Sequence, residues 1–282
     1  VRRGSAGRRG MCSVRRSRPL PLSLAPARDG SAAALESGWR RGRATLTGML
    51  PRLLLLLVLL APVPAAAQLG EVDAALVLVV DASWSIDEAD FALLRDGMAA
   101  AFRSPALVRA VEDGPRGAVA VTVVQSAKEG DQVVGVPWAR VSDAASAALL
   151  AQRIAAMPRR VQGGATAIGA AVDLARQLLL ACPCAPDRRV IDYAGDGRNN
   201  RSDLAAARAA AEAAGVTVNG LAILTEVPTL REYFELRLIA GPDAFAEAAE
   251  TVADFPPAFR RKLIREMGGM AEVVPPPRRA SR

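Results

Sequence analysis

Histidine is absent from the 282 residues. That removes imidazole acid–base catalysis and histidine-ligated zinc. Cysteine is scarce, with three in the chain. Cys182 and Cys184 form a Cys-Pro-Cys stretch, too few ligands for a metal site. It reads as a loop pair between a helix and the next strand, open to bridging. No apolar run reaches the ~20 residues of a comfortable membrane span. Neither a phosphate-binding loop nor Gly-x-Gly-x-x-Gly follows the first strand, which argues against nucleotide binding. There is no internal repeat. No clustered basic face is visible, although the formal net charge is +7. Residues 1–67 hold 12 of the 36 basic and 2 of the 29 acidic residues, so the rest carries a net charge of −3. These features exclude a nucleic-acid partner from the expectations.

Hydrophobic residues make up 51% of the chain, enough for a sizeable core. Residues 1–48 are rich in Arg, Ser, Gly and Ala without apolar periodicity, and read as a disordered or non-native extension. Met49 opens a stretch with one positive charge at Arg52, an apolar core from Leu53 to Leu60, and an Ala-x-Ala ending. That is the pattern of a secretory signal peptide over 49–67, with the mature chain starting at Gln68. The expected location is therefore periplasmic or secreted, with a membrane involved only if this segment stays uncleaved.

From Leu76 to Val80 five aliphatic residues run up to Asp81. A continuous run rich in valine is the signature of a strand buried on both faces of a parallel sheet. Ala118–Val124, Arg188–Gly195 and Val216–Leu224 read as further strands. Gln132–Trp138 alternates around Pro137, which suits an antiparallel edge strand. Helical spacing covers Asp87–Arg103, Ser142–Ala156, Ile168–Leu180, Ser202–Ala214, Thr229–Ile239 and Ala258–Met267. Ala244–Ala248 suits a short final strand or a helix, and 268–282 a flexible tail. Alternating strands and helices predict an α/β fold with a mostly parallel central sheet and helices on both faces. Asp192, inside a strand, must find a partner or an end of the sheet, because an unpaired buried carboxylate is costly.

In this architecture the carboxyl ends of the parallel strands share one edge, where open sheets place ligands. Asp81, Ser83 and Ser85 fall there, after the first strand. So do Thr166, on a Gly-Gly-Ala-Thr loop before a helix, and Asp196, directly after another strand. Each admits a plainer role: Ser85 or Asp87 as a helix cap with Glu88, Thr166 as an N-cap, Asp196 in an Asp-Gly turn. Together they offer two carboxylates and three hydroxyls, hard donors suited to Mg²⁺, Mn²⁺ or Ca²⁺.

Asp81-x-Ser83-x-Ser85, the threonine of Gly-Gly-Ala-Thr166, and Asp196-Gly197 resemble, in identity, order and spacing, the metal-ion-dependent adhesion site of the von Willebrand factor A family. The resemblance spans Val72 to Met267. It is nearest an exported bacterial, uncharacterised branch that shares Gly-Asp-Gly-x-Asn-Asn, here from Gly195, and Asn-Gly-Leu-Ala-Ile, here from Asn219. It implies a Rossmann-type domain over 68–267. It also implies that the hydroxyls of Ser83, Ser85 and Thr166 touch a metal, while Asp81 and Asp196 act through water or orient those ligands. An open position would take an Asp or Glu carboxylate of a partner protein. Ala194-Gly195 departs from the hydroxyl residue many relatives carry there. The resemblance implies a binding domain and not an enzyme. The alternatives are a metal-dependent hydrolase or phosphatase on a similar sheet, in which Asp81 would be the nucleophile, and a metal-free structural domain.

Overall fold

The computed structural model describes residues 69–161 and 163–268. The expected extension over 1–48, the expected signal peptide over 49–67 and the expected tail beyond 268 lie outside the described residues. Strand β1 (Glu71–Asp81) is followed by α1 (Glu88–Phe102), α2 (Pro105–Glu112), β2 (Val119–Ser126), β3 (Gln132–Val141) and α3 (Ala144–Ala155). Then come α4 (Ile168–Leu180), β4 (Ala185–Gly195), α5 (Leu204–Ala213), β5 (Val216–Ile223), α6 (Leu230–Arg237), β6 (Ala246–Ala249) and α7 (Phe255–Gly268). The sheet order is β3-β2-β1-β4-β5-β6. Only β3 runs antiparallel, so the mostly parallel sheet with one antiparallel edge matches the sequence expectation.

β1 is central because both of its faces are apolar. Ala74, Leu76, Leu78 and Val80 point into one core with Phe91, Leu94 and Met98 of α1, Leu150 of α3 and Phe259 and Leu263 of α7. Ala75, Val77 and Val79 point into the other with Ile168, Val172 and Ala175 of α4, Leu204 of α5 and Phe234 of α6. The period of two along the strand thus feeds two helical layers. The chain leaves β1 for β2 on one side, and β4 lies on the other. The β1 carboxyl end is therefore the switch point where such sheets hold ligands.

β1 starts five residues before the aliphatic run. Its Asp73 is buried, and the carboxylate accepts the backbone N–H groups of Arg116 (2.8 Å) and Ala118 (3.2 Å), so the acid is tolerated inside the strand. β6 resolves the ambiguous Ala/Glu stretch as a strand, since pairing with β5 decides where propensity does not. α7 starts at Phe255 because Pro256 and Pro257 fall in its first turn, where no N–H partner is required. Cys182 and Cys184 are bridged. Among the described residues no helix is long and apolar enough to cross a membrane.

Candidate metal centre

Asp81 is the last residue of β1; one side-chain hydrogen bond closes the turn after it, and two more tie that turn to two distant loops. Ser83 N–H donates to Asp81 Oδ1 at 2.8 Å, closing a tight turn. Thr166 Oγ1 donates to Ser83 Oγ at 3.2 Å. Ser85 Oγ donates to Asp196 Oδ1 at 2.7 Å. The five side chains chosen from the sequence are thus brought together from three loops. Asp81, Ser83, Thr166 and Asp196 are buried, while Ser85 is exposed, so the cluster opens on its Ser85 side.

The plainer helix-cap roles fail for two of these residues. Asp87, not Ser85, caps α1, accepting Asp90 N–H at 2.8 Å. The N-cap position of α4 is Ala167, with no side-chain cap, so the Thr166 hydroxyl is free to face Ser83. Backbone bonds hold the loops in register: Trp84 N–H to Gly164 O (3.2 Å), Asn200 N–H to Thr166 O (3.0 Å) and Ala167 N–H to Ala127 O (2.9 Å).

Two glycines make the approach possible. A Cβ at Gly195 would fall 2.8 Å from Asp81 Oδ2, and one at Gly197 2.8 Å from Thr166 Oγ1. The departure at Gly195 is therefore steric: in this chain the Asp81 carboxylate fills the space of the missing side chain. Gly195→Ala is expected to displace Asp81 and destabilise the fold by about 1–3 kcal/mol, the usual penalty of overpacking. A denaturation midpoint equal to wild type would reject that packing.

The electrostatics favour a cation. Burial, opposed by the Ser83 N–H and reinforced by the charge of Asp196, pushes the Asp81 carboxyl up to about 7. Burial also raises Asp196 against the Ser85 hydrogen bond, with Glu226 and Asp90 adding repulsion. Tyr193 OH supplies a further donor to Asp81 Oδ2 at 3.3 Å. The donor set, two acids and three hydroxyls, suits a hard divalent cation. Among the described residues, no group of three or more His, Cys, Asp or Glu could hold a metal. Hydroxyls must therefore supply most of any coordination here.

Sequence reasoning missed three neighbours. Arg159, on an irregular connection with no periodic signal, sends Nη2 to the carbonyls of Ala82 (3.2 Å) and Ile86 (2.7 Å), gripping the loop from both ends. Tyr193 was legible only as a strand residue. Lys128 also lies nearby: its stem packs against Gly164, and its ammonium pairs with Asp131 at 2.9 Å.

Solved structures share this architecture. The proximal thread matrix protein 1 of the mussel byssus, with a zinc-occupied MIDAS motif, is 18% identical at a TM-score of 0.52, over 71% of this chain and 48% of that one. The PilB minor pilin of Streptococcus sanguinis, as a D319A mutant, is 12% identical at 0.54, over 73% and 64%. The pilus adhesin SpaC of Lactobacillus rhamnosus GG, in its open conformation, is 15% identical at 0.51, over 70% and 30%. The chain thus spans about half the length of the mussel protein, or less than a third of SpaC. These likenesses establish the fold, which is of the von Willebrand factor A type. No curated protein matches the chain. The model of a family described as proteins of unknown function, DUF1194, matches residues 71–271, and the chain belongs to that family.

Proposed function

We propose that this protein is an exported, divalent-metal-dependent binding domain that captures an Asp or Glu carboxylate of a partner protein. Ser83, Ser85 and Thr166 would hold the ion, Mg²⁺ or else Mn²⁺ or Ca²⁺, through their hydroxyls. Asp81 and Asp196 would act through water or orient those hydroxyls. The observation that carries the proposal is the convergence of five oxygen-bearing side chains from three loops on one sheet edge, with two buried acids and, among the described residues, no base bonded to either. A bound cation would supply a Lewis-acidic point for an incoming carboxylate. Hydroxyl ligands carry no charge, so the cation would stay under-neutralised and attract one more anion. The fold neighbours include a pilus adhesin and a matrix protein with a metal-occupied motif, which supports the reading.

A hydrolase fits less well. A nucleophilic Asp81 would have to reach substrate, yet it is 1% exposed and committed to Ser83 N–H and Tyr193 OH. Export accords with the bridge between Cys182 and Cys184, which belongs to an oxidising compartment.

Calorimetry with MgCl₂ and MnCl₂ tests the proposal. Millimolar metal is expected to give a saturable signal and to raise Tm, worth about 2.7 kcal/mol at a hundredfold excess over Kd. Thr166→Val, which keeps the shape and removes one hydroxyl, is expected to weaken metal binding at least tenfold with little change in the metal-free Tm. No heat and no Tm shift in wild type would reject the metal site. A protein partner retained in Mg²⁺ should elute with EDTA.

A further inference from the structure

Trp84 is the most exposed large apolar side chain among the described residues, at 82%. It sits between Ser83 and Ser85, at the mouth of the candidate metal centre. An indole held there leaves on the order of 200 Å² of mostly apolar surface in water.

The exposure does not come from a slack loop. The Arg159 guanidinium is 7% exposed and bonds the carbonyls on both sides of Trp84. Its Nε donates to Val161 O at 3.1 Å, and the group lies 5.4 Å from the centre of the Phe91 ring. Trp84 N–H is tied to Gly164 O. The backbone is fastened, and the indole projects from it.

Trp84 walls a cleft of about 470 Å³ that also involves Ile86, Asp87, Glu88, Arg159 and Gly163. Asp87 and Glu88 are exposed carboxylates. Among the described residues that line the cleft Arg159 is the one base, and backbone carbonyls and Glu88, at 3.6 Å, already engage it. Asp90 follows on the same turn, and Glu226 lies near enough to Asp196 for its charge to be felt there. Acidic side chains therefore line the Trp84 side of a centre that is to receive a carboxylate.

We propose that the Trp84 cleft takes a basic side chain, Arg or Lys, from the same partner segment whose carboxylate reaches the metal centre. This rests on the adhesion reading of that centre. A cation can stack on the indole face and pair with Asp87 and Glu88 at once. An apolar side chain would gain the indole contact but would desolvate the two carboxylates without pairing them. An acidic one would be repelled. The basic neighbour also offsets the repulsion that Asp87 and Glu88 exert on the incoming carboxylate.

The test uses acetyl-Gly-Xaa-Glu-Xaa-Gly-amide with Xaa as Arg, Leu or Glu, titrated into the full chain labelled with 5-fluorotryptophan. The Trp84 fluorine resonance is identified by Trp84→Phe. In millimolar MgCl₂ the Arg peptide should bind about tenfold tighter than the Leu peptide, and the Glu peptide weakest. Trp84→Ala and Glu88→Gln should bring the Arg-to-Leu ratio close to one while calorimetric Mg²⁺ affinity is unchanged. Metal-dependent binding indifferent to the flanks, or an Arg preference that survives Trp84→Ala, overturns this proposal alone. Binding that persists in EDTA overturns the adhesion reading. Absence of binding by every peptide to Mg²⁺-saturated protein overturns both.

Discussion

Replacing Lys262 by methionine is expected to destabilise the domain by about 3–5 kcal/mol, the usual result of stripping one partner from a buried ion group. Lys262 lies on α7 with no exposed surface. Its ammonium pairs with Asp192 of β4, and with Glu266 one turn along at 2.7 Å. Asn219 of β5 donates to Glu266 Oε1 at 2.7 Å and accepts Phe245 N–H at 2.9 Å. Burial alone would pull the lysine down, but the two carboxylates outweigh it and hold the ammonium charged. Without it, two buried carboxylates face each other, and burial and Glu266 already push Asp192 up. Among the described residues, Asp192 Oδ2 and Glu266 Oε2 find no hydrogen-bond partner to share the load. At roughly 2–4 °C per kcal/mol for a domain of this size, Tm should fall by about 10 °C. Asp192→Asn and Glu266→Gln added to Lys262→Met should recover most of that loss, because no unpaired charge would remain. Urea unfolding at neutral pH decides it. A loss below about 1 kcal/mol would mean that the triad is not the polar lock between α7 and the sheet.

This triad also marks where the sequence stops being readable. Asp192 stands out inside an apolar strand, and its need for a partner follows from desolvation alone. Nothing local names Lys262, seventy positions on, as that partner; only the seating of α7 on β4 and β5 does. The same limit applies to Arg159, whose guanidinium finds the carbonyls of Ala82 and Ile86 through tertiary packing. By contrast, β1 and the three loops were legible because each signal is local. Five aliphatic residues ending in Asp81 announce a buried strand and its ligand edge. Asp196 closes a second strand, and Thr166 precedes a helix. Their meeting follows from parallel topology, which places all three ends on one side. Boundaries were less legible. Asp73 at the start of β1 and Pro256 in α7 look like breakers, yet turn N–H groups satisfy the first and a helix start accepts the second. Gly195 was noted as a missing hydroxyl, but its reason is a 2.8 Å approach that only coordinates reveal.

In the metal-free protein, Asp81→Asn and mild acid should both stabilise the fold, and Mg²⁺ should diminish both effects. The Asp81 carboxyl is raised from 3.8 to about 7, with burial as the leading cause. A folded-state pKa above the unfolded one means that the folded form binds the proton more tightly. The favourable contribution is complete below the unfolded value and is lost as pH rises through about 7. A charged Asp81 at alkaline pH therefore weighs about 4 kcal/mol against the fold, the whole shift converted at 1.36 kcal/mol per pH unit. Between about pH 8 and pH 5, metal-free wild type should gain about 2–3 kcal/mol relative to Asp81→Asn, which cannot titrate there. Subtracting the variant removes what Asp192 and other carboxylates contribute to the same pH range. Metal works against this trend, because the ion requires the ionised carboxylate and competes with the proton. At millimolar Mg²⁺ wild type should be stabilised more at pH 8 than at pH 5, and Asp81→Asn should gain little at either. Guanidinium unfolding of both proteins, with metal and with EDTA, measures all four slopes. Equal stabilisation of wild type and Asp81→Asn by Mg²⁺ would place the ion elsewhere. Equal pH slopes without metal would mean that Asp81 is not the buried acid whose charge the fold resists and a cation relieves.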